Sequence, residues 1–229
     1  MGSLTEITLM SDERVAGIPV AEIGEPFVDL RRHPELVLDG RLADPLGAYA
    51  HVRAGVATRL LEAQSLLRDG LRLRVVEAYR PPALQRRYFD EYASELACLH
   101  PEWPPSRLHA QASRFVAPPE VAPHVAGAAV DVTLCDADGA ELPMGTEVNA
   151  NPEESDGDCY TAAPGISAGA RRNRELLSTV LTAAGMVNYP TEWWHWSYGD
   201  RYWAMRTNSP AALYRQHDVN VLPKEGDDV

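Results

Sequence analysis

Two histidines and two acids in this 229-residue chain have types and spacings suited to metal chemistry. In the segment HVAGAAVD, His124 precedes an apolar run that Asp131 interrupts. A carboxylate inside an apolar strand is costly unless it is hydrogen-bonded, paired or bound to a metal. Gly127 allows a tight turn that would bring the imidazole back toward Asp131. The alternative interpretation is that Asp131 faces solvent from an amphipathic strand.

The second pair lies in the segment EWWH, as Glu192 and His195. Residues three apart in a straight strand face opposite sides, so a shared site requires a bend near Trp193. Pro190, just upstream, favours irregular backbone there. The alternative is a tryptophan-rich core ladder that leaves both polar side chains outside.

Arg80 follows a predicted strand and precedes two prolines. Site residues gather at strand ends, and a guanidinium there is suited to hold an oxyanion. The alternative interpretation is an exposed arginine beside prolines. Together the three places offer His124, Asp131 and His195 as zinc ligands. Catalytic zinc uses three protein ligands and leaves a fourth position for water. Glu192 would then take the proton of that water, and Arg80 would stabilise the tetrahedral oxyanion.

Other polar residues carry weaker signals. Ser167 lies in a G-x-S-x-G motif but has no strand before it, so we predict a helix N-cap instead of a nucleophile. The remaining histidines are predicted to be surface or loop residues: His33, His51, His100, His109 and His217. The cysteines form no zinc or redox motif and are each predicted to be small buried side chains: Cys98, Cys135 and Cys159.

The composition excludes several classes of protein. With 33 acidic and 21 basic residues the formal charge is −12, which argues against a nucleic-acid surface. No apolar run is long enough to span a membrane, and the first residues do not resemble a secretory signal. We therefore expect a reduced, cytoplasmic chain with no nucleic-acid or membrane partner; the metal chemistry outlined above suits a small peptide substrate.

Periodicity predicts a single α+β domain over residues 1–229, with a largely antiparallel sheet. Residues 1–45 are expected to be an irregular N-terminal part, and residues 207–229 a surface tail. Helices are predicted over 44–69, 82–99 and 167–184, with a proline-rich loop after residue 99. Strands are predicted over 6–10, 26–30, 71–79, 128–134 and 141–143, and a strand or hairpin over 186–198.

The motifs His-x-x-Gly-x-Ala-x-Asp (124–131) and Glu-x-x-His (192–195) resemble those of the zinc D,D-peptidase superfamily. The full EWWH, the Tyr79-Arg80-Pro81 upstream and the LPMG at 142–145 resemble its D-alanyl-D-alanine dipeptidase branch. The similarity covers roughly residues 45–206. It implies an antiparallel sheet lining a zinc cleft flanked by helices, as in D,D-peptidases and Hedgehog domains.

The resemblance also implies roles. His124, Asp131 and His195 would bind one zinc ion, Glu192 would be the general base and then the proton donor, and Arg80 would stabilise the tetrahedral intermediate. The implied activity is cytoplasmic cleavage of D-alanyl-D-alanine for peptidoglycan remodelling, nutrient recovery or glycopeptide resistance.

The predicted substrate subsite departs from the family pattern. Ala122 and Pro123 stand where the branch carries serines, and Asn149 stands where it carries an aspartate that binds the substrate ammonium; Tyr79 completes the expected subsite. An amide lacks the charge-assisted hydrogen bond of a carboxylate. Acids of the loop 147–164 are candidates to supply that charge: Glu147, Glu153, Glu154 and Asp156.

Three hypotheses follow from this pattern. The first is a zinc dipeptidase acting on D-alanyl-D-alanine or a related D-amino-acid dipeptide. The second is a D,D-carboxypeptidase, or a hydrolase of a peptide-like metabolite, with an altered subsite. The third is a zinc-bearing binding module without catalysis, against which Glu192 and Arg80 argue. The pattern leaves the stereochemistry of the substrate and the oligomeric state open.

Overall fold

The computed structural model describes residues 7–218 and contains a central five-stranded sheet. In chain order the strands are β1 (Phe27–Asp29), β2 (Val37–Leu38), β3 (His51–Arg53), β4 (Arg72–Glu77), β5 (Ala129–Cys135), β6 (Val187–Asn188) and β7 (His195–Ser197). The central sheet has the order β2-β4-β5-β7-β6, and β1 pairs with β3 in a separate two-stranded sheet. Only the β2–β4 pairing is parallel, so the predicted antiparallel α+β architecture is confirmed.

Six α-helices accompany the sheets within residues 7–218: α1 (Glu13–Ala16), α2 (Ala54–Leu66), α3 (Pro82–Leu99), α4 (Pro105–Ala112), α5 (Ala168–Ala183) and α6 (Arg201–Thr207). The main core contains apolar residues of α2, α5, β4 and β5. Alternate residues of β5, Val130, Val132 and Leu134, belong to this core, which leaves Asp131 on the other face of the strand. No helix within the described range is long and apolar enough to cross a membrane.

The register of the central strands determines which polar residues meet. Asp131 on β5 lies opposite His195 on β7 and opposite Glu77 on β4. A register shift in β4 between Val75 and Glu77 produces the second pairing. Because an extra residue moves later side chains to the other face, this irregularity places Glu77 beside Asp131.

Helices α3 and α4 form a hairpin that the chain inserts between β4 and β5. It has a small core of its own, formed by Phe89, Leu96 and Ala112. The hairpin follows Arg80 directly and ends shortly before His124, so the two ends of the insertion adjoin predicted site residues.

Several sequence predictions agree with these elements. Helix α3 has the predicted bounds, and Ser167 is the N-cap of α5, accepting a hydrogen bond from the Ala170 N–H. Strands β1 and β5 lie within a residue of the predicted strands 26–30 and 128–134, and β4 ends two residues before the predicted strand 71–79 does. The segment 186–198 contains the antiparallel pair β6 and β7.

Other predictions of secondary structure are wrong. Residues 51–53 form β3 instead of the first turns of a helix, because they pair with β1. The segment 141–143 forms only a single bridge, between Cys135 and Glu141. The proline-rich loop is shorter than expected, since Pro105 begins α4, a position where its missing N–H costs nothing. No strand forms over the described part of 6–10, and Glu6 itself lies outside the described residues.

In the described part of the predicted surface tail, residues 207–218, Ala212 and Tyr214 are buried and Ala212 is bridged to Val20, whereas the other side chains are exposed or half-buried. Two predictions of exposure are wrong. His51 is buried on β3, where its Nδ1 lies 2.7 Å from the carbonyl oxygen of Gly47. Cys98 is exposed, whereas Cys135 and Cys159 are buried as expected.

Gly127 permits the turn that joins His124 to β5, and its replacement by alanine should destabilise the fold. Its φ is +65°, and a Cβ atom there would overlap the ring of Phe27. We expect Gly127→Ala to lower the free energy of unfolding by about 2–4 kcal/mol, from backbone strain and overpacking together. Gly139→Ala is the matched control because its φ is +83° but the space is open. Urea unfolding of both variants tests this, and equal losses would contradict it.

Candidate metal centre

The ring nitrogens of two histidines and one carboxylate oxygen form a small triangle. His124 Nε2 lies 3.1 Å from His195 Nδ1 and 3.4 Å from Asp131 Oδ1. His195 Nδ1 lies 3.2 Å from the same carboxylate oxygen. All three side chains are buried. The structure therefore brings together the three residues predicted as metal ligands.

The donor set and its dimensions fit a zinc ion. Zinc bonds to histidine nitrogen and carboxylate oxygen are about 2.0–2.2 Å long, so adjacent ligand atoms of a tetrahedral site lie about 3.3–3.6 Å apart. The three edges of the triangle, 3.1, 3.2 and 3.4 Å, are close to that spacing. A cation would also relieve the repulsion between converging acceptor atoms in a buried place.

Local backbone structure places each of the three side chains. Asp131 and His195 are directly opposite on β5 and β7, where paired side chains share a face. His124 lies in a 3₁₀ turn over Pro123–Ala126, which Gly127 ends in the left-handed conformation. Its Nδ1 lies 2.6 Å from the carbonyl oxygen of Ala78. An N–H donated there leaves the lone pair of Nε2 facing the triangle, as in metal-bound histidines.

The surroundings favour the ionised form of Asp131 and the neutral form of His195. Burial by itself would raise the pKa of Asp131, but the neighbouring imidazoles His124 and His195 hold that pKa well below its ordinary range. Burial lowers the pKa of His195, opposing the effect of Asp131. A carboxylate and neutral imidazoles are the forms that bind zinc.

Glu192 lies in a turn immediately before β7, so the bend expected near Trp193 is present. The backbone N–H of His195 donates to the carbonyl oxygen of Glu192 at 3.3 Å, which brings their side chains together. Glu192 Oε2 lies 3.8 Å from His195 Nδ1. Burial, reinforced by the charge of Asp131, raises the pKa of Glu192 well above its ordinary value, while Arg80 opposes this shift.

Arg80 is held on the other flank of Asp131 by two buried residues. Its Nε donates to Glu77 Oε1 at 2.9 Å, and its Nη2 donates to the second oxygen of the same carboxylate. Its Nη1 donates to Gln85 Oε1 at 2.8 Å. Nη2 also lies 3.9 Å from Asp131 Oδ2. The guanidinium is thus oriented beside the triangle.

A cleft of about 340 Å³ opens onto this cluster. Of the predicted subsite residues, Ala122, Pro123 and Asn149 line it. Tyr79 is not among the lining residues; its hydroxyl donates to the carbonyl oxygen of His217 at 2.7 Å, and its ring packs on Phe27. The structure therefore separates Tyr79 from the other predicted subsite residues.

Sequence reasoning missed the partners of Arg80 and much of the cleft wall. Glu77 had a signal, since it is an acid at the end of an apolar strand segment, three residues before Arg80. Gln85 had none, because glutamine is ordinary on a helix. The unforeseen part of the lining comes mainly from the helical hairpin and from aromatic residues near the cluster: Tyr88, Tyr92, Phe115, Val116, Tyr189 and Trp194.

A buried His–Asp–His triangle flanked by an acid and an arginine is the arrangement of a mononuclear metallohydrolase. The family model described as D-ala-D-ala dipeptidase, Peptidase_M15, matches residues 40–215. A D-alanyl-D-alanine dipeptidase of Synechocystis is 32% identical over 222 residues, which cover 83% of this chain and 89% of the relative. One from Escherichia coli is 31% identical over 127 residues, covering 56% of this chain and 55% of that protein.

This chain belongs to the D-ala-D-ala dipeptidase family, Peptidase_M15, and is a zinc metallopeptidase. Solved structures similar to it include a vancomycin-resistance D,D-pentapeptidase, VanY, in complex with Zn(II), at 17% identity and a TM-score of 0.41, covering 74% of this chain and 82% of that one. Another is the LD-carboxypeptidase LdcB, at 17% identity and a TM-score of 0.46, covering 89% and 81%.

Replacement of Asp131 by asparagine should weaken zinc binding while preserving the shape of the side chain. The amide has no negative charge, and loss of a ligand should cost at least the ~100-fold in affinity that an outer-shell partner can contribute. Chelator competition on the purified protein measures the affinity. Asp138→Asn is the control, because Asp138 is an exposed turn residue. Equal zinc affinity in the two variants would exclude Asp131 as a ligand.

Proposed function

We propose that this protein hydrolyses D-alanyl-D-alanine, or a related D-amino-acid dipeptide, with one zinc ion held by His124, Asp131 and His195. The observation that carries the proposal is the approach of two further groups to the same triangle. Glu192 Oε2 lies 3.8 Å from His195 Nδ1, and Arg80 Nη2 lies 3.9 Å from Asp131 Oδ2. A base and a fixed cation beside one metal site suit hydrolysis of an amide.

When bound, zinc activates a water molecule and polarises the scissile carbonyl group. Glu192 accepts the proton of that water through its carboxylate oxygen and later delivers it to the departing amine. Burial raises the pKa of this carboxyl group, and a carboxylate with a raised pKa is a stronger base than one in water. The neighbouring Asp131 charge supports this shift.

Arg80 stabilises the negative charge that develops on the carbonyl oxygen. Glu77 and Gln85 occupy three of its N–H groups and set the direction of the guanidinium before substrate arrives. Such preorganised donors are effective because they need no reorientation during the reaction.

The cleft supports a small peptide as substrate. Ala122 and Pro123 line it close to His124, and the names of the two dipeptidase relatives suggest D-alanyl-D-alanine. Asn149 also lines the cleft, in a left-handed conformation with φ of 67°. Of the acids considered to replace its missing charge, Glu153 contacts a lining residue of the cleft, since it accepts a hydrogen bond from the Tyr92 hydroxyl at 3.1 Å.

A D,D-carboxypeptidase acting on longer or N-blocked peptides is the second candidate. Asn149 favours it, since a neutral amide makes a free substrate amine less necessary. The wall beyond the metal cluster, with Tyr88, Phe115 and Val116, offers surface for a longer chain. A binding module without catalysis is disfavoured, because it needs neither Glu192 nor an oriented Arg80.

We place this activity in the cytoplasm, in peptidoglycan turnover or resistance to glycopeptides. All three cysteines are free thiols, and one of them, Cys98, is exposed. Exposed free thiols are typical of reducing compartments, where disulfides are rare.

Glu192→Gln should abolish turnover without releasing the metal. The amide keeps the size of the side chain but cannot accept the proton, and general-base contributions are typically about 10²–10⁴-fold. We expect kcat for D-alanyl-D-alanine to fall by at least ~100-fold with zinc content unchanged, measured on the same preparation. Glu175→Gln, on the outer part of α5, serves as the control. Full activity in Glu192→Gln would refute the assigned base.

The requirement for a free amine distinguishes the two candidate activities. A dipeptidase that anchors the substrate ammonium should cleave D-alanyl-D-alanine and leave its N-acetyl derivative nearly intact, because acetylation removes the charge. We expect kcat/KM to be at least ~100-fold lower for the acetylated peptide, the loss that follows from about 2.7 kcal/mol of charge-assisted hydrogen bonding. Comparable rates for both peptides would favour the D,D-carboxypeptidase.

A further inference from the structure

Gln85 is a buried polar residue, 1% exposed, whose position in the site is unlike that of an ordinary helix glutamine. It lies in the first turn of α3, and both ends of its amide are engaged. Its Oε1 accepts from Arg80 Nη1 at 2.8 Å, and its Nε2 donates to the carbonyl oxygen of Ala117 at 2.8 Å. It therefore connects the guanidinium beside the metal cluster to the segment that follows α4.

The orientation of this amide is determined by its two neighbours. Arg80 offers only donors, and the Ala117 carbonyl offers only an acceptor. Turning the amide over would place donor against donor and acceptor against acceptor, at the cost of two hydrogen bonds in a buried place. The carbonyl end of Gln85 consequently always faces Arg80.

The hydrogen bond from Arg80 to Gln85 constrains a rotation that Glu77 alone does not. Glu77 accepts from Nε and Nη2 along one edge of the guanidinium, and Gln85 accepts from Nη1 at its other end. Of five N–H groups, three are thereby used, which leaves one on each terminal nitrogen. Partners at both ends set the plane of the guanidinium and the direction of those two N–H groups.

The second bond of Gln85 reaches the wall of the cleft. Ala117 lines the cleft, and so do its neighbours in the same segment, Ser113, Phe115 and Val116. Phe115 and Val116 pack within the hairpin, whose small core is separate from the main one, and Ala117 packs against a further cluster that contains Tyr189. Gln85 thus provides a polar connection between that wall and Arg80.

We propose that Gln85 is a positioning residue for the hydrolysis described above, orienting Arg80 for the transition state and holding the 113–117 wall at the distance that substrate binding requires. The inference rests on the proposed function. Gln85 acts through Arg80, so its effect on kcat requires the guanidinium, whereas its effect on KM comes from the wall.

The test is a double-mutant cycle with Gln85→Met, Arg80→Ala and their combination, measured with D-alanyl-D-alanine. Methionine preserves the volume of glutamine and makes neither hydrogen bond. We expect Gln85→Met to lower kcat at least ~10-fold in the wild-type background and less than ~2-fold in the Arg80→Ala background, because residues that act as a unit are not additive. Equal factors in both backgrounds, or an unchanged kcat in Gln85→Met, would overturn the proposal.

Gln64→Met is the matched control for general destabilisation. Gln64 also joins two backbone groups, donating to Leu71 O at 3.2 Å and accepting from Leu73 N at 2.7 Å, but it is not a cleft residue. We expect it to lower Tm with kcat unchanged. A fall in kcat equal to that of Gln85→Met would assign the effect to stability and overturn the proposal.

Gln85→Glu separates the two bonds and remains informative where Gln85→Met folds poorly. A carboxylate keeps an acceptor for Arg80 but cannot donate to the Ala117 carbonyl. We expect kcat to stay within ~3-fold of wild type and KM to rise more than ~3-fold, because only the hydrogen bond to the 113–117 wall is lost. A fall in kcat of more than ~3-fold with KM unchanged would contradict the proposal. Failure of the wild-type protein to hydrolyse any dipeptide would instead refute the proposed function itself.

Discussion

The structure depends on the burial of one carboxylate, Asp131, which is 2% exposed on a central strand. A charge in such a place must be compensated by close partners, and the two nearest, His124 and His195, are themselves best used as neutral metal ligands. The antiparallel register supplies one of them directly opposite Asp131, and a left-handed glycine turn supplies the other. A divalent cation within this triangle satisfies all three groups at once. Because of this burial, the three groups are costly to leave without a metal ion.

Charge compensation continues outward from the triangle in a second layer. Arg80 Nη2 meets two buried acids, since it donates to Glu77 Oε2 and lies 3.9 Å from Asp131 Oδ2. The irregularity in β4 is essential to this arrangement, because it turns Glu77 to the face that Asp131 occupies. Gln85 completes the support with a neutral acceptor. Such a layer holds the Arg80 guanidinium in a fixed direction while leaving two of its N–H groups for substrate. Donors fixed in this way are what stabilisation of an oxyanion requires.

Chemistry and specificity are carried by different parts of the chain. The proposed metal ligands, with Glu192 and Arg80, lie on sheet strands and on the short turns next to them, which adjoin the main core. The cleft wall comes from the α3–α4 hairpin and from the loop that carries Asn149, both outside that sheet. Sequence changes in the wall can therefore alter the substrate without disturbing the metal cluster. The neutral residue Asn149, on the cleft loop, is a change of this kind.

The sequence by itself determined the chemistry of the site and the class of the fold. The spacing of His124 and Asp131 around Gly127, and of Glu192 and His195, predicted that these four residues meet, because polar residues in an apolar context need close partners. Only the tertiary structure decided which side chains surround them. The partners of Arg80, the separation of Tyr79 from the cleft and the anchoring of the segment after α6 arise from contacts between residues distant in the chain. Hydrophobic periodicity reports which face of an element is buried, but carries no information about which element covers it.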